Sequence, residues 1–308
     1  MKTALKLIVT AVVLLAFLFL IPSAAFVGHA EVIEIPLDAQ PDQIPMPLEE
    51  GYLSATEYED PSISVSITTG TMYDTGYMIA HVKIANASQI RSAMSGRYGA
   101  NRETLGTKLA KQYHAALAVN GDYFTMKPNT GLLIRQGHGY FIPKDDKNLT
   151  YRDAHYDLLL IDANGDLHIL KQATMDDLYA LPEDMDIINS FTFGPGLIID
   201  GERQGNYFNF NNAPENRTQR MCIAQVGPLE YLCICCEGPD DPGSLGMTLE
   251  QFTDLVAAQE GVTNAYNLDG GGSSTMVFRN KKVNCPNRNV QRFCVDILYF
   301  ASAYVPEE

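Results

Sequence analysis

Between Asn267 and Met276 the chain reads NLDGGGSSTM, and these ten residues restrict what it can fold into more than any other stretch. Val262 to Leu268 is a short run that reads as a strand, and Val277 and Phe278 resume an apolar pattern beyond the string. Asp269 is therefore held at a strand end, followed by Gly270, Gly271 and Gly272 and then by Ser273, Ser274 and Thr275. Successive glycines leave backbone N–H groups uncovered and let the chain enter φ > 0. Such a loop can wrap an anion or a sugar, because consecutive N–H groups form concave anion sites and the hydroxyls add donors. A lone Asp-Gly reads as a hairpin turn; the whole string reads as a binding loop. No Lys follows the glycines and no helical pattern opens after them, which excludes a nucleotide-phosphate fingerprint.

The rest of the 308 residues must supply a scaffold for that loop, and 46% apolar content is ample for a core. Lys plus Arg number 22 against 37 Asp plus Glu, so binding to nucleic acid or to an anionic membrane face, which needs excess positive charge, is disfavoured. An anionic substrate has to be handled locally. Lys2 and Lys6, the apolar run Leu7 to Ile21, and the small residues Ala25 and Ala30 have the layout of an export signal, either cleaved or retained as an anchor. Residues 1–30 are thus expected to be a signal or anchor, with the protein secreted or held facing the extracellular side. From Glu31 to Pro61 come nine acidic residues, five prolines and no Lys or Arg, the composition of a linker. A strand at Val32 to Ile35 that docks on the domain is compatible with it. The folded domain is expected over 62–308.

All six cysteines lie between Cys222 and Cys294, and export makes disulfides permissible. Cys285 and Cys294 flank a loop that suits a bridge. If Gly227-Pro228 centres a hairpin, Val226 faces Leu229 and Cys222 faces Cys233, close enough for a bond. Buried free thiols are the equal alternative. There is no CxxC pair, and the adjacent Cys235 and Cys236 point to opposite faces of a strand, so thiolate metal ligation is disfavoured.

Along the chain, Ser62 to Thr68 and Tyr77 to Ile84 alternate as strands, and Glu103 to Ala116 places Leu105, Leu109, Tyr113 and Ala116 on one side of a helix. Ala116 to Phe124 is an apolar strand ending in Asn120-Gly121-Asp122, which suits a cleft floor or a turn. Two hairpins are expected, Gly131 to Gly137 with Tyr140-Phe141 and Tyr156 to Asp162 with Asp166 to Leu170. Gly194 and Gly196 break the strand that starts at Ser190, either to bring backbone near a ligand or as a bulge. Tyr207 to Asn216 reads as an exposed loop. Arg220 to Val226 pairs with Glu230 to Cys236, so Arg220 and Glu237 fall at the same end of the sheet. Thr248 and Gln251 make a capping box for a helix that stops at Gly261 and feeds the Asn264 to Leu268 strand. The class expected is α+β, a single domain with a large mixed or antiparallel sheet and a few packed helices.

Taken together, AVNGDYF, GLLIRQG, FGPGLIIDGE, QRMCIAQ, NLDGGGSSTM and VNCPN with the later Arg292 resemble the phosphodiester glycosidase family, in that family's order over roughly residues 110 to 300. Its animal member, the mannose 6-phosphate uncovering enzyme, removes N-acetylglucosamine from a sugar phosphodiester. The resemblance implies that Asn120, Arg220, Asn267, Asp269 and the loop through Thr275 belong to an active cleft. Two positions depart from the pattern. Arg220-Met221-Cys222-Ile223-Ala224 stands where the family has an Arg-Thr-Ala-Ile-Gly type string. Cys236-Glu237-Gly238 stands for Asp-Gly-Arg, which keeps a carboxylate and loses a basic residue.

Breaking a glycosyl–phosphate bond needs little acid help, because phosphate leaves well, but it needs charge stabilisation. Arg220 suits a bidentate contact to a phosphoryl oxygen, unless it is a salt-bridge partner of Glu237, and loop N–H groups suit a second contact. Asp269 is the first choice for the carboxylate that stabilises the oxocarbenium-like sugar or activates water, with Asp122 or Glu237 as partner. Asn120, Gly121, Asn267, the three glycines, Ser273, Ser274, Thr275 and Gly194 are the expected substrate contacts. The expected partner is a carbohydrate phosphodiester. No cofactor is required; a divalent cation between carboxylates is compatible with the residues, although no ligand spacing marks one. The rival reading is a non-catalytic module that binds cell-wall polymer or exopolysaccharide or serves its biosynthesis. A serine hydrolase using Ser273 or Ser274 lacks a nearby His and a nucleophile elbow.

Overall fold

A computed structural model describes residues 30–100, 102–151, 154–207, 213–284 and 291–307. The apolar leader, part of the loop at 207–216, and Cys285 lie outside the described residues. The chain divides into two units: Val32–Tyr304, and Met1–Glu31 with Val305–Glu308. The large sheets, the buried cores and the packed helices all belong to the first.

Eight strands form the larger sheet, in the order Glu202–Arg203, Gly196–Ile199, Asn264–Leu268, Arg220–Gly227, Glu230–Cys236, Thr75–Ile84, Ile63–Met72 and Glu57–Asp60. Five form a second sheet, Lys281–Lys282, Met276–Phe278, Ala115–Asn120, Asp296–Ala301 and Ile90–Met94. A three-stranded sheet, Leu167–Leu170, Leu158–Asp162 and Ile187–Phe191, extends the scaffold. Pairing in the two larger sheets is antiparallel throughout. The α+β class holds, with its strands shared among stacked sheets.

Period-2 alternation decides which face each residue serves. Val65, Val82, Ile223 and Leu268 of the large sheet share one buried core with Val119, Phe278 and Phe300 of the second sheet and Leu159 of the third. The opposite face of the large sheet, with Cys222, Ala224 and Ile234, is covered by the helix Leu249–Ala257 through Leu249, Phe252, Leu255 and Val256. That helix begins with the expected capping box, Thr248 accepting from Gln251 N and Gln251 from Thr248 N. The far face of the second sheet carries the helix Gly106–Gln112 through Leu109 and Ala110. This helix is shorter than its apolar spacing suggests. Thr104–Leu105 pairs with Phe293–Cys294 before it, and His114 at φ 52 ends it so that Ala115 can enter the sheet.

Two hairpin turns lack the usual Asn-Gly. Tyr73 and Asp74 (φ 53 and 54) join Met72 to Thr75, and Arg279 and Asn280 (φ 48 and 59) join Phe278 to Lys281. Both central residues at φ > 0 is the type I′ condition, whose twist matches the strands.

Two expectations are corrected. The segment read as an acidic linker over 31–61 packs on the domain from Val32 onward. Ile35, Ala39 and Ile44 are buried in the second core, Glu57–Asp60 joins the large sheet, and the buried Arg91 guanidinium donates to the carbonyls of Ile35, Pro36 and Leu37. Spaced apolar residues and one buried cation outweigh the polar composition. The second correction concerns the cysteines. The hairpin turns at Pro228-Leu229, with Gly227 opposite Glu230 and a bulge at Val226, so Ile223, not Cys222, lies opposite Cys233. A one-residue slip sends a side chain to the other face. Cys233 therefore sits in the inter-sheet core and Cys222 under the helix, and Cys222, Cys233, Cys236 and Cys294 are free thiols. The expected Cys285–Cys294 bridge involves a residue outside those described.

The register is tested by alkylating the unfolded, unreduced protein. Cys222, Cys233 and Cys236 are each expected to take up label, and a peptide pair joined through Cys222 and Cys233 would contradict the pairing.

Candidate active site

Asp269 follows the last residue of the strand Asn264–Leu268 in the large sheet, and Met276 opens a strand of the second sheet. The glycine string is thus the crossover between the two stacked sheets. Its two ends are tied by one side chain, since Asn120 Nδ2 donates to Asp269 O at 2.7 Å and Asn120 Oδ1 accepts from Thr275 N at 2.9 Å. Asn120 ends the central strand of the second sheet and is 2% exposed. Asn284 repeats the device further along, accepting from Met276 N at 2.7 Å and donating to Ser274 O at 3.0 Å.

Close backbone approach explains the glycines. A Cβ on Gly270 would lie 2.8 Å from Gln219 O, and Gly271 takes φ +56 while donating its N–H to that same oxygen. Gly271, Ser273, Ser274 and Thr275 all donate their N–H groups within the protein. This corrects the expected anion nest: most of the loop's donors hold its shape.

Two hollows meet at the loop. One, about 350 Å³, is lined by Glu103, Asn120 to Tyr123, Asp269 to Ser273 and Arg292 to Val295. The other, about 550 Å³, is lined by Phe193, Ala213, Glu215 to Thr218, Arg220 and Asp269 to Gly271. Asp269, Gly270 and Gly271 belong to both. The Asp269 carboxylate accepts from the Ser273 hydroxyl and the Gly270 N–H. Burial pushes its pKa up to about 6, opposed by those bonds and by Arg292, and assisted by Asp122. Tyr123, facing the same hollow, is held above the ordinary phenol range by burial first and by Asp269 next. Lys127 lies 4.2 Å from the Tyr123 ring centroid, and burial lowers its pKa.

Arg220 and Asp269 therefore border one hollow. Arg220 is 2% exposed, with Nε donating to Met247 O at 3.3 Å and Nη2 to the carbonyls of Ala213 and Asn216 at 3.0 and 2.8 Å. Burial lowers its pKa to about 10, so it stays cationic at neutral pH. It shapes the wall of the hollow as well as charging it. Asp122 lines the smaller hollow, but its oxygens already accept from Phe124 N, Thr192 N and Arg135.

Other expected contacts are not brought in. Glu237 lines neither hollow and accepts from the Ser244 hydroxyl at 2.5 Å, its side chain packed over Gly76. Gly194 and Asn267 bond each other, Asn267 Nδ2 donating to Gly194 O at 2.8 Å, behind the loop. Ser274 and Thr275 are buried. Residues that sequence reasoning misses include Glu103, Arg217, Thr218 and Phe293 at the hollows, and Arg135 and Asp296 behind them. Arg135 lies in the GLLIRQG string. The others carry no local signal. Among the described residues no group of three or more His, Cys, Asp or Glu is placed to hold a metal ion.

The fold of this chain is shared with solved structures. Residues 113–301 match the phosphodiester glycosidase family, and the chain belongs to that family. The catalytic domain of zebrafish N-acetylglucosamine-1-phosphodiester alpha-N-acetylglucosaminidase, auto-inhibited by its pro-peptide, is similar in fold. It is 18% identical, with a TM-score of 0.58, over 89% of this chain and 95% of that one. A hypothetical protein from Synechocystis (14% identity, TM-score 0.53, 78% of this chain and 62% of that one) is also similar. So is a putative exported protein from Burkholderia pseudomallei K96243 (14% identity, TM-score 0.50, 74% of each chain). Among curated proteins, none matches the sequence.

Because Asn120 satisfies two groups of the crossover at once, Asn120→Ala leaves both without their partner. The expected cost is roughly 3 kcal/mol, measured by urea unfolding, taking about 1–3 kcal/mol for each orphaned buried group. A loss under about 1 kcal/mol would show that the amide does not hold the loop.

Proposed function

We propose that this chain is an exported hydrolase that cleaves a glycosyl-1-phosphodiester bond in a surface or extracellular glycan, with Asp269 as the reacting carboxylate. The observation that supports this most is the position of Asp269 where two hollows meet, so that the groups on either side of a scissile bond each have space. Family membership supplies the bond class. The leader supports a protein that is secreted or anchored facing outward.

In this reading Asp269 acts ionised, as nucleophile or as base toward water, against an oxocarbenium-like sugar. The Ser273 hydroxyl and the Gly270 N–H fix its orientation. Arg292, exposed at the rim and within electrostatic reach of Asp269, meets a phosphoryl oxygen, while the Arg220 guanidinium makes the neighbouring wall positive. Phosphate departs without a proton, so no second carboxyl has to act as acid. Glu237 has no part in it, and no cofactor is required.

The purified protein is expected to release free reducing sugar from a glycosyl-1-phosphodiester, and Asp269→Asn to lower kcat/KM by at least about a thousandfold with the fold intact. Retained turnover in that variant would reject the assignment. The parent's kcat/KM is expected to rise with pH through an apparent pKa of about 6, as Asp269 ionises.

The same carboxyl affects stability. Its folded pKa lies above the unfolded value near 3.8, so its contribution is fully present below about pH 4 and lost as the pH climbs through about 6. Asp269→Asn, which cannot ionise, is expected to unfold a few degrees above the parent at pH 8, with the gap closing at pH 4. Thermal melts at the two pH values measure it.

A further inference from the structure

Behind the hollow that holds Asp269 lies a buried group of charges that the proposed reaction does not use. Arg135 Nη2 donates to Asp122 Oδ1 at 3.1 Å and to Asp296 Oδ2 at 2.6 Å, and all three side chains are at most 2% exposed. Two carboxyls thus share one guanidinium. Asp122 meets N–H donors only, from Phe124, Thr192 and Arg135, the pattern of an ionised carboxylate. Asp296 differs: among the described residues its Oδ1 has no hydrogen-bond partner, and neither does Arg135 Nε. A buried carboxylate oxygen without a donor is far costlier charged than neutral.

We propose that Asp122, Arg135 and Asp296 are positioning residues for Asp269, with the proton of the carboxyl pair residing on Asp296. The mechanical link is Gly121. Its N–H donates to Asp296 O at 3.2 Å, its carbonyl accepts from Asp269 N at 3.2 Å, and a Cβ there would lie 2.5 Å from Asp296 Oδ1. Gly121 is therefore clamped between the triad and the reacting residue. The electrostatic link is the charge count. With Asp296 neutral, Asp122 and Arg135 cancel, and Asp269 faces no net negative charge from behind. With both carboxyls ionised, the surplus charge would disfavour the ionised form of Asp269.

Other titratable groups face this centre. Tyr123 and Lys127 come from the turn after Asp122, Glu103 and Cys294 from the short strand pair, and Arg292 from the rim. Burial drives the Asp296 carboxyl upward, with Arg135 opposing and Asp122 and Asp269 assisting, the direction that the geometry requires.

The inference rests on Asp269 as the reacting group, and its first test does not. Difference infrared spectroscopy at pH 7 is expected to show a protonated carboxyl band in the parent that is lost in Asp296→Asn and kept in Asp122→Asn. No such band in the parent, or loss of the band in Asp122→Asn alone, overturns the proposal. The second readout is the acid limb of kcat/KM against pH. Asp296→Asn is expected to leave the limb where it is, because a neutral group replaces a neutral group. Asp122→Asn leaves Arg135 uncompensated and is expected to move the limb down by on the order of one pH unit. A limb that shifts down in Asp296→Asn refutes the assignment of the proton. If the parent hydrolyses no glycosyl phosphodiester, the function reading fails and the infrared result still stands.

Discussion

The two-way hydrogen bonding of the Asn120 amide holds the rest of the site in place. A crossover between stacked sheets has to leave one hydrogen-bonded ladder and enter another, and its backbone groups belong to neither. Here one primary amide supplies the missing donor and acceptor, to Asp269 O and Thr275 N, from the end of the central strand of the second sheet. Because the amide is buried and has no rotameric freedom left, Asp269 cannot drift without breaking two bonds. The carboxylate is then pre-organised by main chain, and Ser273 has only to orient it. Asn284 does the same for the second half of the crossover.

That rigidity works against Asp269's own ionisation. A carboxyl at a strand end between two walls loses water, and the hydrogen bonds from Ser273 and Gly270 only partly compensate. The resulting shift costs stability at neutral pH, where a residue chosen for folding alone would be neutral. Local rules broken at one position while the scaffold obeys them elsewhere mark a functional site. Burial at Arg220 has a different outcome: three carbonyl oxygens accept from its guanidinium, so the cation is retained and ties the loop at 213–216 to the sheet.

Much of this scaffold is legible in the sequence, and the limits are physical. Strands that alternate over part of their length, such as Ile63–Met72 and Thr75–Ile84, show themselves because burial on one face dictates their period. The helix Leu249–Ala257 does so because its capping box is local. Local signals also bring out Asp269, the glycines and Asn120. The turn at Pro228-Leu229 escapes because a bulge at Val226 leaves no trace in the hydrophobic pattern, and that single residue moves Cys222 to the opposite face from Cys233. The extent of docking beyond Ile35 escapes because composition averages over charge, whereas docking depends on three apolar side chains and on a cation 56 residues beyond Ile35. Arg135 and Asp296 meet across 161 residues, and no window on the sequence registers such a pair.

What the glycines are for changes how an anion is recognised. Uncovered N–H groups in a Gly-rich string suggest a phosphate cradle, yet here Gly271 donates to Gln219 O and the following residues donate within the turn. Their small size is required because the crossover runs so near the neighbouring strand that a Cβ at Gly270 would lie 2.8 Å from a carbonyl oxygen. Charge recognition then passes from backbone to side chains, and those available differ in kind. Arg220 is desolvated, fixed and bonded to carbonyls, so it contributes a steady field at no reorganisation cost. Arg292 is exposed at the rim and lies within electrostatic reach of Asp269. A buried cation at one hollow and an exposed cation at the other suit the proposed reaction, in which negative charge grows on a departing phosphate while positive charge grows on the sugar beside Asp269.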